Sequence, residues 1–103
     1  MDMPLAAMEA SAAKASDLLR TMANESRLMI LCYLVDGEKT VGQIAEKMEL
    51  SQSALSQHLG ILRRERLVKT RRDRQFIHYS LDSEDAKALL ETLYMRFCGP
   101  DAG

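Results

Sequence analysis

The chain has 103 residues, 47% hydrophobic and 28% charged, with a net charge of −1 and two cysteines. That length allows one hydrophobic core that gains from a partner subunit, and the composition excludes a disordered chain. A pI of 6.1 excludes a polycation that coats nucleic acid indiscriminately.

The N-terminal MDMPLAAMEA carries an acid and no basic region before a short apolar patch. No tract approaches the ~20 apolar residues of a spanning helix, so neither secretion nor a membrane partner is expected, and the chain reads as cytoplasmic. Met8 to Met22 is Ala-rich and helical, with Leu18, Leu19 and Met22 as its larger apolar positions. Asn24 is an N-cap for a second helix, Glu25 to Val35, whose Leu28, Leu31, Cys32 and Val35 fall on one face, and Asp36-Gly37 ends it. Thr40 and Gln43 have capping-box spacing, with a short helix following through Ile44, Ala45 and Met48.

Glu49-Leu50-Ser51 makes a brief turn into a helix from Gln52 to Arg64, with Leu55, Leu59 and Leu62 as its core stripe. Two short helices joined by such a turn have helix-turn-helix geometry. Leu67 to Arg71 and Phe76 to Leu81 read as strands, with Arg72 to Gln75 at the hairpin tip. Ser83, followed by Glu84 and Asp85, starts a last helix with a wide apolar face of Ala86, Leu89, Leu90, Leu93, Tyr94 and Phe97. The expected architecture is mainly α with a small β-hairpin, in the order ααααββα of a winged helix-turn-helix. The domain spans residues 8–98, and flexible tails are expected at 1–7 and 99–103.

Charge is concentrated late in this pattern. Between Arg63 and Arg74, six arginines and Lys69 stand against Glu65 and Asp73, a local net of +5. A basic patch on an acidic body orients the approach to DNA. Opposite the leucine stripe of the Gln52–Arg64 helix lie Ser53, Ser56, Gln57 and Gly60, a small polar face suited to a major groove, with Ser51 and Gln52 at the helix start. Arg63 and Arg64 at the helix end could reach phosphate or guanine. Arg71, Arg72, Arg74 and Gln75 form a wing able to contact backbone or enter a narrow minor groove. His58 sits nearer the core stripe and reads as a packing residue or phosphate contact, while His78 alternates away from Ile77 and Tyr79. Neither histidine has a second ligand nearby, so no metal or other cofactor is expected.

The cysteines lack CxxC spacing and cannot build a zinc site alone. In a reducing cytosol they are either packing residues or a reactive pair. Cys32, among Leu28, Leu31 and Val35, reads as a small core residue whose burial dulls its thiol. Cys98 lies in a final helical turn, where the dipole also disfavours thiolate, partly offset by Arg96.

Three segments carry a resemblance: Arg27 to Leu31, Leu50 to Leu59 and Ile77 to Leu81. With them the chain resembles the ArsR family of bacterial winged-helix repressors over nearly its full length. The resemblance implies a homodimer through the first and last helices, giving Leu18, Leu19, Leu89, Leu93 and Phe97 a place in the interface, and a double-stranded, palindromic DNA operator. One departure is Arg66, where relatives usually carry glycine. A left-handed helix ending is therefore expected on a residue that adopts it at some cost. Val41 to Met48 contains no cysteine and Ser83 to Cys98 no histidine, so the family's usual metal sites are absent. Cys32 and Cys98 instead look like the pair of a sulfide-responsive subgroup that includes repressors of sulfide oxidation and biofilm genes and a haemolysin activator. There, reactive sulfur species bridge the pair through polysulfide and weaken DNA binding.

The same pair would also serve an oxidant such as peroxide, through a direct disulfide. A winged helix used only as a protein-interaction module is the alternative outside DNA binding, and it predicts salt-insensitive, weak DNA affinity. An enzyme is not expected, since no nucleophile, base and orienting group recur at a plausible spacing.

Overall fold

Five helices and three short strands follow one another in the computed structural model, which describes residues 2–100. They are α1 (Leu5–Met22), α2 (Glu25–Leu34), β1 (Lys39–Thr40), α3 (Val41–Lys47), α4 (Gln52–Arg64), β2 (Val68–Asp73), β3 (Phe76–Leu81) and α5 (Glu84–Cys98). Of the tails expected at either end, Met1 and residues 101–103 lie outside the described residues.

Side-chain caps set four of the helix starts. The Asn24 carboxamide accepts from the Arg27 amide at 3.0 Å, Ser51 from Ala54 at 3.1 Å, and Ser83 from Ala86 at 3.0 Å. At α3 the box is reciprocal, with Thr40 Oγ1 accepting from the Gln43 amide at 3.1 Å and Gln43 Oε1 accepting from the Thr40 amide at 2.8 Å. Helix α1 has no side-chain cap and begins at Leu5, three residues before the expected Met8. The intervening residues are good helix formers, so the helix extends back to Pro4, whose carbonyl accepts from the Met8 amide at 3.3 Å.

Helix α4 ends as its sequence requires. Arg66 takes φ 62°. The Leu67 amide then reaches the Leu62 carbonyl at 2.9 Å and the Arg66 amide the Arg63 carbonyl at 3.1 Å, while Leu62 and Leu67 are both buried. This is a Schellman ending with its hydrophobic contact, built without the usual glycine.

The sheet has three antiparallel strands in the order β1-β3-β2. Strand β1 was not expected, because two residues carry no periodicity; it exists through pairing, Lys39 opposite Tyr79 and Thr40 opposite His78. The hairpin is also tighter than expected. Arg72 pairs with Ile77 and Asp73 with Phe76 inside the ladder, leaving Arg74 and Gln75 as the turn, with Arg74 at φ 60°.

Ile30, Leu31, Leu34, Ile44, Leu62 and Leu90 are at most 2% exposed and form the centre of the core. The buried side of α2 is thus Ile30, Leu31 and Leu34, rotated from the expected face, while Leu28 and Val35 pack only at its margin. Cys32 is exposed, against its reading as a core residue. It stands two positions from both Ile30 and Leu34, about 200° around the helix, and those larger aliphatic side chains gain more from burial than a thiol does.

Helix α1 gives the core little of its length, with Thr21 and Met22 as its buried residues. The radius of gyration is 15.3 Å, against about 13 Å for a compact domain of this length. The excess reflects helical surface that the chain does not fold upon.

Candidate nucleic-acid interface and thiol pair

Leu55, Leu59 and Leu62, at 2%, 3% and 0% exposure, fix the roll of α4 against the core. Its opposite face therefore points outward: Gln52, Ser53, Ser56, Gln57, Arg63 and Arg64 are all exposed, as is the capping Ser51. Ser51 and Ser53 place their hydroxyls 3.4 Å apart at the positive end of the helix dipole, where backbone amides and short hydroxyls suit a phosphate. A β-carbon at Gly60 would lie 3.6 Å from Arg64 Nη1, so the Arg64 side chain runs back over the glycine along this outer face. His58 is half-buried with Nδ1 enclosed and unpartnered among the described residues, an orientation that favours packing.

Arg71, Arg72, Arg74 and Gln75 are exposed on the wing. They are not equivalent. The Glu38 carboxylate accepts two bonds from Arg71 Nε, at 2.9 and 3.0 Å, and another from Nη2, while His78 Nδ1 stands 3.6 Å from Glu38 Oε1. Hydrogen bonding to Arg71 holds the Glu38 carboxyl below its usual range. Sequence reasoning missed Glu38. It is an isolated glutamate before a two-residue strand, and only the pairing of β1 with β3 carries it to an arginine 33 positions away.

The Cys32 and Cys98 thiols are both free and exposed. Enough protein surrounds the Cys32 sulfur to push its pKa up, and the charge of Cys98 raises it further. Beside Cys32 an open groove of about 640 Å³ runs between α2 and α5, lined also by Val35, Leu90, Tyr94 and Met95, with Asp36 and Glu91 as its charged groups.

The residues expected at a dimer interface divide into two sets. Leu18 and Leu89 pack on the margin of this chain's own core. Leu19, Leu93 and Phe97 are 55%, 37% and 76% exposed, beside Tyr94 and Met95 at 63% and 58%. Among the described residues no helix is long and apolar enough to cross a membrane, and no group of three or more His, Cys, Asp or Glu could hold a metal ion.

A capped helix, a tight turn, a second helix with an outward polar face and an arginine-rich hairpin define a winged helix-turn-helix DNA-binding protein. Residues 24–70 match the family described as "Bacterial regulatory protein, arsR family". The chain is 52% identical over 96 residues to the transcriptional activator HlyU of Vibrio cholerae, covering 93% of this chain and 89% of that one. It superposes on the structure of reduced HlyU from the same organism with a TM-score of 0.84 at 53% identity, over 88% of this chain and 96% of that one. With the transcriptional repressor BigR of Xylella fastidiosa the TM-score is 0.88 at 40% identity, over 93% and 98% of the two chains. The chain belongs to the ArsR family. It is a DNA-binding transcriptional regulator and not an enzyme.

Proposed function

We propose that this regulator binds a palindromic operator as a homodimer and that reactive sulfur species switch it off DNA by linking Cys32 to Cys98. The observation that carries this reading is that both thiols are exposed, with Cys32 lining a groove against Tyr94 and Met95 of the helix that ends at Cys98. In the linking step each thiol gives up its proton, the hydrogen polysulfide is reduced and leaves as two molecules of hydrogen sulfide, and its remaining sulfur bridges the cysteines. The exposed apolar side chains of α1 and α5 supply the dimer surface. A bridge between α2 and α5 would shift α5 relative to the recognition helices, and half-sites must lie about 34 Å apart, or a multiple of it, for both helices to dock together.

The relatives include both an activator and repressors. A direct disulfide needs sulfur atoms about 2 Å apart, whereas inserted sulfur spans a wider gap, so intact mass separates the two bridges. The test is to treat the reduced protein with polysulfide, then measure intact mass and affinity for a duplex enriched by the wild type. A mass gain from bridging sulfur together with weakened binding is expected, and Cys98→Ser should lose both. A full response in Cys98→Ser would sink the crosslink. A mass lowered only by two hydrogens after peroxide, with polysulfide ineffective, would identify a peroxide switch instead.

A further inference from the structure

At the base of the wing, side chains from β2, from β3 and from the residue just before β1 share one face of the sheet. Arg71 on β2 is opposite His78 on β3, which is opposite Thr40 on β1. Glu38 precedes Thr40 by two residues, so strand alternation returns its side chain to that same face, along with Lys69 and Asp73 of β2. Glu38 takes the Nε edge of the Arg71 guanidinium. The other edge, Nη1 and the second Nη2 hydrogen, makes no hydrogen bond among the described residues, and the side chain is 55% exposed.

An exposed ion pair of this kind contributes little to stability in water, so the fold does not depend on it. Its geometric effect is larger. A guanidinium gripped along one edge loses its freedom to swing and offers the opposite edge as a fixed fork for a second anion. Glu38 also cancels one of the wing's positive charges, lowering the attraction to phosphates at large.

We propose that Glu38 is a positioning residue for DNA binding: it holds Arg71 so that its free edge grips one backbone phosphate and fixes the register of the wing on the duplex. Without Glu38 the same arginine becomes a mobile charge that serves any duplex. The proposal rests on the DNA-binding role established above and is independent of the cysteines.

The test uses a duplex enriched by the wild type from a random pool, and a scrambled duplex of equal length. Affinity for both is measured by fluorescence anisotropy over a range of salt for wild type, Glu38→Gln, Arg71→Ala and the double variant. Glu38→Gln should bind the scrambled duplex more tightly, with a salt slope steeper by up to about one, and its ratio of enriched to scrambled affinity should fall about fivefold or more. In the Arg71→Ala background the same change should leave the ratio where it was. An unchanged ratio in Glu38→Gln, or an equal fall without Arg71, overturns the proposal while leaving DNA binding intact. Failure of the wild type to enrich any duplex overturns both.

Discussion

Arg27 Nε donates to the backbone carbonyl of Thr21 at 2.7 Å, tying the start of α2 to the end of α1. That carbonyl lies in the last turn of α1, where intrahelical donors run out and a cation is favoured by the dipole. Arg27→Ala should lower unfolding free energy by about 1–2 kcal/mol, the worth of a partly buried hydrogen bond to a charged donor. Urea denaturation measures it, and a midpoint equal to wild type would mean that the link contributes nothing.

Two arginines hold left-handed backbone that favours glycine, Arg66 at φ 62° and Arg74 at φ 60°. Each sets a positive charge beside or on the wing in a backbone conformation that glycine adopts at less cost. Arg66→Gly and Arg74→Gly should each raise stability by about 0.5–1 kcal/mol, while each reduces the salt slope of DNA binding by up to about one. Stability and salt slope moving together in the same direction would contradict the trade.

Burial, and then the charge of Cys98, push the Cys32 thiol up from its ordinary pKa. Below that raised pKa the thiolate fraction is smaller than a free cysteine's at equal pH, so alkylation should be slower near neutrality and climb as pH rises. Cys98→Ser removes the second cause and leaves the first. A modest acceleration of Cys32 alkylation is therefore expected in that variant at alkaline pH, where a second thiolate is present to oppose the first, read by mass-resolved iodoacetamide kinetics; no acceleration there would show that the charge of Cys98 does not act on Cys32.

Phe97 is 76% exposed and makes no part of this chain's core, whereas Leu90, two turns earlier on the same stripe of α5, is buried. Phe97→Glu should leave the unfolding midpoint of the isolated fold little changed and shift sedimentation from dimer to monomer. A dimer that survives the charge would place the interface elsewhere.

The helix-turn-helix was legible in the sequence because its signals are local. Asn24, Thr40, Ser51 and Ser83 cap helices within three residues of themselves, the leucine stripe sets the roll of α4, and Arg66 had to end it in a left-handed conformation. None of that depends on distant chain. What the tertiary structure alone decided is long-range. It chose which stripe of α2 is buried, because Ile30 and Leu34 compete with Cys32 for the same neighbours, and it turned a presumed packing residue into an exposed thiol. It paired Lys39-Thr40 with β3, a strand too short to announce itself, and so carried Glu38 onto Arg71. The sequence determined which surfaces could meet DNA; folding decided which charges on them are held and which are free.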